Sequence, residues 1–248
     1  MAEIKTALVT GAGRRLGRGL AAALAADGWH VVAHYNASAE GAESLVTEIA
    51  AAGGRAWAIQ ADLTDGRATE TLIGRAVEVA GPLTCLVNNA SLFEVDRLAR
   101  LTLEGLERHF AVNLRAPTLL CRDYARQLPE GEQGAIVNIQ DQALHDGGPA
   151  FLSYALCKVG LEVLTQKLAA DLAPAIRVNG IAPGYTLPGP KQTTERHEAA
   201  YRNSPLGRGG SIEDCAAALR FLLGAPSVTG EVIRVDGGIH LRHGGRGS

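Results

Sequence analysis

The sequence predicts an α/β protein: a single domain built on a doubly wound, parallel sheet of about seven strands with helices on both faces. Three observations predict it. Short apolar runs alternate with helix-length segments from end to end, the pattern of βαβ units. A glycine-rich turn joins the first apolar run to a helical pattern. No linker, repeat or low-complexity segment divides the 248 residues, a length that one α/β domain accommodates.

The elements follow in order. "IKTALVT" (4–10) is a strand feeding the turn, and 16–28 is a helix closed by Gly28. "HVVAHY" (30–35) is the second strand, and the Ala-rich 39–52 is a helix stopped by "GG". A strand at 55–63 precedes a helix at 66–80, and "LTCLVNNA" (83–90) is a strand with a polar end. Helices fill 102–128, a strand covers 134–140, and a long helix covers 150–173. "IRVNGIAPG" (176–184) is a strand and turn, 211–224 a helix, and "EVIRVDGG" (231–238) the last strand. The domain thus spans 1–243. Within it, 185–210 is the one long irregular insertion, rich in Pro and Gly. It follows a strand's C-terminal end, where open α/β sheets bind ligands, and so is expected to be a substrate lid. The tail at 244–248 is expected to be mobile.

Bulk properties narrow the function. With 46% hydrophobic residues and a net charge of −2, the chain has no basic excess for nucleic acid or an anionic membrane. It shows neither a signal-peptide pattern nor an apolar run of membrane-spanning length. Cys85, Cys121, Cys157 and Cys215 form no C-x-x-C pair, so no metal site is expected and the thiols should be buried small apolar groups. A reducing cytoplasm is the expected compartment. His240-x-x-His243 is expected to be solvated.

The turn "VTGAGRRLGRG" has the strand–turn–helix context of a Rossmann dinucleotide site, with Gly11, Gly13 and Gly17 spaced G-x-G-x-x-x-G. The turn also supplies Arg14, Arg15 and Leu16 to the cofactor side. An NAD site would place an acid at the end of the second strand, for the ribose hydroxyl. Here that strand ends "HYNAS", with no acid before Glu40. The arginines, with Asn36 and Ser38, suit a 2′-phosphate instead, so NADPH is the expected cofactor.

These features resemble the short-chain dehydrogenase/reductase family. The resemblance rests on "TGAGRRLG" (10–17), "ADL" (61–63), "NNA" (88–90), Asn113 in "VNLRAP", Tyr154-x-x-x-Lys158, "RVNGIAPG" (177–184) and "VDGG" (235–238), which recur in the family's order. It implies that Asp62 and Leu63 lie at the adenine, Asn89 and Ala90 at the adenosine ribose and backbone, and Pro183 and Gly184 beside the nicotinamide. It also implies that Lys158 binds the nicotinamide ribose, that Asn113 supports a water relay, and that the protein assembles as a homotetramer.

On a helix, Tyr154 and Lys158 share one face. A lysine ammonium beside a phenol is expected to lower the phenol's pKa from about 10, so that Tyr154 can donate a proton as hydride arrives. Most family members carry a serine about thirteen residues before this tyrosine. Here the position is Asp141, and Ser153 should point elsewhere. An ionised carboxylate opposes the oxyanion of carbonyl reduction, whereas it stabilises a protonated C=N.

The pteridine reductase branch of the family is similar at four places: "RRLG" with Arg15, "HY" at the second strand's end, "NNAS" followed by Phe93, and an Asp before Tyr-x-x-x-Lys. The closing "VDGGIHLR" is like that of bacterial dihydromonapterin reductases within the branch. The resemblance implies that Phe93 stacks on a pterin and that Ser91 contacts both the cofactor phosphate and the pterin. Ala37 departs from the branch, which often has a basic residue there. The expected activity is NADPH-dependent reduction of a C=N bond in a pterin or dihydropterin, through Asp141, Tyr154, Lys158 and Asn113. Two rivals are an NAD(P)H-dependent ketone or 3-oxoacyl reductase and a non-catalytic dinucleotide sensor.

Overall fold

The computed structural model describes residues 5–142, 148–188, 193–202 and 204–242. Its strands are β1 (Thr6–Val9), β2 (His30–Tyr35), β3 (Ala56–Gln60), β4 (Cys85–Asn88), β5 (Gly134–Ile139), β6 (Ile176–Pro183) and β7 (Val232–Val235). They form one sheet in the order β3-β2-β1-β4-β5-β6-β7, with every neighbouring pair parallel. The helices are α1 (Arg15–Ala26), α2 (Ala39–Ala51), α3 (Gly66–Ala80), α4 (Leu103–Phe110), α5 (Ala116–Gln127), α6 (Leu152–Asp171), α7 (Thr194–Arg202) and α8 (Ile212–Gly224).

Central strands buried on both faces explain why the strands read as continuous apolar runs. Side chains on β1 alternate between two cores. Ala7 and Val9 join α1, α2 and α8 through Leu20, Leu45 and Leu219. Leu8 joins the opposite face with Leu72, Leu120 and Tyr124 from α3 and α5. Each fully buried leucine contributes about 1.5–3 kcal/mol. Caps fix where the helices begin. Asp65 accepts from Arg67 N–H at 2.8 Å, Thr102 accepts from Gly105 N–H at 3.1 Å, and Ser211 and Asp214 form a reciprocal capping box.

Four expectations need revision. β3 and β4 stop short of 63 and 90, because their last residues leave the ladder to line the cavity described below. The 102–128 helix is broken by a π-helical segment, Ala111–Arg115, of the kind that marks functional sites. The insertion at 185–210 contains α7, a polar helix carrying a Glu198–Arg202 ion pair at 3.1 Å. His240 is not simply solvated: its Nδ1 lies 2.6 Å from the Asp236 carboxylate. Residues 189–192 and 203 of the expected lid, His243 and the expected tail at 244–248 lie outside the described residues. All four cysteines are buried and free, and burial pushes the Cys85 and Cys121 thiols up to about 12. Among the described residues no helix is long and apolar enough to cross a membrane, and no cluster could hold a metal ion.

Candidate active site

The C-terminal ends of β1, β2, β4, β5 and β6 open on a cavity of about 1220 Å³. A smaller one, of about 210 Å³, adjoins it. The larger cavity runs from Arg14, Asn36 and Ser38, past Asp62 and Leu63, to Ser91, Phe93, Asp141 and Tyr154.

The glycine turn forms the first end. Gly11 takes φ +67°, which a Cβ disfavours, and at Gly13 a Cβ would meet Ser38 Oγ at 2.3 Å. Glycine at these two places lets the turn follow this path and close against Ser38 beyond β2. Two residues overlooked in the sequence hold it. The Thr10 hydroxyl accepts the N–H groups of Asn89 and Ala90, both at 2.9 Å, joining the ends of β1 and β4. His34 Nδ1 accepts from Gly11 N–H at 3.1 Å, so Nε2 carries the proton toward Ala61 O at 3.0 Å. Burial lowers its pKa to about 4, which keeps it in this neutral form. The "HY" pair signalled the position but not this bond.

The expected cofactor residues divide. Arg14, Leu16, Gly17, Asn89 and Ala90 line the larger cavity, together with Asn36, Ala37 and Ser38. No carboxylate stands among the residues lining the β2 end, as a 2′-phosphate requires. Asp62 accepts from Thr64 N–H at 2.9 Å and from its hydroxyl at 2.8 Å, so one of its oxygens secures its own turn. Arg15 differs from expectation. It sits at φ +53°, and its guanidinium donates to Pro188 O at 2.9 Å. It also lines the smaller cavity with Asp141, Tyr154, Lys158, Pro183 and Gly184. Arg15 therefore borders both cavities, and Arg14 and Arg15 are the two cations lining the larger cavity near Asn36 and Ser38.

At the reacting end the Tyr154 hydroxyl donates to Asp141 Oδ2 at 2.7 Å. Lys158, nearly fully buried, donates to Ile139 O at 2.6 Å. Its Nζ stands 5.6 Å from the Tyr154 ring centroid. These contacts overturn the expectation that Lys158 lowers the phenol's pKa. Burial pushes Tyr154 well above 10, and the charge of Asp141 and the hydrogen bond to it push the same way. Tyr154 is a held proton, with Asp141 as its acceptor. Burial likewise lowers Lys158 to about 8, partly offset by Asp141.

Asn113, fully buried in the π-helical segment, spends its amide on Leu92: Nδ2 donates to Leu92 O and Oδ1 accepts Leu92 N–H, each at 2.8 Å. Its side chain fixes the loop after Ser91 instead of facing the cavity. Ser153 points away, as expected, and its hydroxyl donates to Asp96. Phe93 lines the cavity and is 53% exposed, with its ring 4.7 Å from that of Tyr154.

Comparison with known proteins agrees with this geometry. The family model described as enoyl-(acyl carrier protein) reductase matches residues 11–240. An uncharacterised oxidoreductase of Methylorubrum extorquens is 37% identical, covering 96% of this chain and 98% of that one. The 3-oxoacyl-[acyl-carrier-protein] reductase FabG of Staphylococcus aureus is 33% identical, covering 97% and 100%. The crystal structure of FolM alternative dihydrofolate reductase 1 from Brucella canis, complexed with NADP, superimposes with a TM-score of 0.92 at 40% identity, covering 96% of this chain and 94% of that one. The chain belongs to the short-chain dehydrogenase/reductase family.

Proposed function

We propose that the protein is an NADPH-dependent reductase of a C=N bond in a pterin or dihydropterin. The observation that carries this is the 2.7 Å hydrogen bond from Tyr154 to Asp141. A carboxylate at that point repels the oxyanion of a reduced carbonyl and favours a protonated imine nitrogen. NADPH, when bound, supplies the hydride. Arg14, Asn36 and Ser38 would hold its 2′-phosphate, and the turn at Gly11–Gly17 would receive its pyrophosphate. Tyr154 protonates the substrate nitrogen, Asp141 orients that proton, and Lys158 returns one to Tyr154 by way of water. Ser91 and Phe93 flank the substrate ring. Gln142 Oε1, buried at the same wall and without a hydrogen-bond partner among the described residues, offers an acceptor for a ring N–H. The likeness to a protein named as an alternative dihydrofolate reductase supports the substrate class.

Similarity to 3-oxoacyl-[acyl-carrier-protein] reductases favours a second reading, ketone reduction, which Asp141 opposes. One panel separates them. Purified protein is expected to oxidise NADPH with a dihydropterin and to leave an acetoacetyl thioester untouched. The reverse pattern sinks the proposal, and cofactor binding without any turnover points to a sensor.

Arg14→Ala is expected to weaken NADPH about 10- to 100-fold, the worth of a charge-assisted bond, and to leave NADH unchanged. Equal losses for both cofactors would remove Arg14 from the 2′-phosphate. Assembly as a homotetramer and a cytoplasmic location complete the proposal. Leu156, Val159 and Val163 form an exposed apolar stripe on α6, which suits a second copy of the chain.

A further inference from the structure

Phe151 stands three residues before Tyr154, at the N-terminus of α6, and lines the same cavity. Its ring lies flat on that of Phe93, with centroids 4.3 Å apart and planes 7° from parallel. Its backbone is left-handed, φ 61° and ψ 37°. An aromatic residue in that region is strained and persists only where its surroundings over-determine it. Asp96 supplies that determination. Its carbonyl accepts Phe151 N–H at 2.9 Å. Its carboxylate accepts Ser153 N–H, 3.2 Å to each oxygen, and also the Ser153 hydroxyl. Asp96 belongs to the loop that carries Ser91 and Phe93, while Phe151 and Ser153 lead into the turn that carries Tyr154. One clasp therefore ties the stacking residue to the proton donor.

We propose that Phe151 is a positioning residue that backs Phe93, held by the Asp96 clasp, so that a flat heteroaromatic substrate meets a ring already fixed in plane beside Tyr154. Ordering the ring before binding removes an entropic cost that the substrate would otherwise bear. This rests on the proposed aromatic substrate. A ketone substrate with no ring would gain nothing from it.

The test is steady-state kinetics with a dihydropterin and NADPH on the full chain. Phe151→Ala is expected to raise the substrate KM about tenfold, the worth of one aromatic pair, with kcat and the NADPH KM within about twofold. Phe151→Tyr, which keeps the stack, restores the wild-type KM. In a Phe93→Ala background, Phe151→Ala adds nothing, because it acts through the missing ring. A lower KM in Phe151→Ala would mean that Phe151 blocks the substrate's place and overturns the inference. So would an unchanged KM, or a full further loss in the Phe93→Ala background. Should the alanine variant not fold, Phe151→Leu keeps bulk without the stack and carries the same expectations. If the wild-type protein itself turns over no dihydropterin, it is the substrate assignment that fails.

Discussion

Tyr154→Phe is expected to lower dihydropterin turnover by about 10²- to 10⁴-fold, the usual worth of a positioned proton donor. NADPH affinity should be unchanged, since the ring and its packing against Phe93 stay in place. A variant that keeps a tenth or more of wild-type kcat would mean that another group delivers the proton. The pH profile separates donor from relay. Tyr154, held well above 10, stays protonated across ordinary pH and does not shape the profile. Lys158, lowered to about 8 by burial, does. Reduction consumes a proton, so kcat should be level below pH 8 and fall as pH rises through it. Lys158→Met should lower kcat and abolish that basic limb, and a limb that survives the substitution would exclude Lys158 from the relay. Fold stability moves the other way. A base whose pKa is lowered on folding disfavours the fold while it is charged. That cost lifts between about 8, where folded Lys158 loses its proton, and 10.5, where unfolded Lys158 does.

The sequence resolves most of the fold because alternation is a strong local signal: the seven strands of the sheet lie within the apolar runs, and most helices lie within the periodic segments between them. What escaped it depends on distance in space. α7 was hidden in 185–210 because a polar surface helix carries little apolar periodicity. The residues of the site were legible as types at motif positions, yet their directions were not. Arg15 was assigned to the 2′-phosphate from its place in the turn, and nothing local in the sequence announced its left-handed backbone or its bond to Pro188 O. Tyr154 was expected to acidify beside Lys158, but Ile139 O takes the ammonium's hydrogen bond and Asp141 takes the phenol's. Phe151 carried no signal at all, since neither a positive φ nor a stack against Phe93, 58 residues earlier, is written in a local pattern.

Asp141→Ser is expected to cost dihydropterin turnover about 10²-fold, although serine is what most of the family carries at this place. A serine hydroxyl can accept from Tyr154, so the hydrogen bond survives while the charge is lost. Asp141→Asn makes the comparison cleaner, because it keeps the shape and an acceptor oxygen. If the charge is what stabilises the protonated imine, both variants fall together, with the loss in kcat and little change in NADPH binding. If the acceptor alone matters, Asn and Ser retain turnover, and the case against carbonyl reduction falls with it. A second readout comes from Tyr154 itself. After burial, the charge of Asp141 and the bond to it are what hold the phenol up, so its pKa should drop toward 10 in Asp141→Asn. Tyrosinate absorbance, with Tyr154→Phe as the reference, measures that drop. Carbonyl reduction should respond with the opposite sign: without a carboxylate facing the nascent oxyanion, Asp141→Ser should gain activity on an acetoacetyl thioester. One substitution that lowers imine turnover and raises ketone turnover would make Asp141 the residue that selects between the two reactions on this fold.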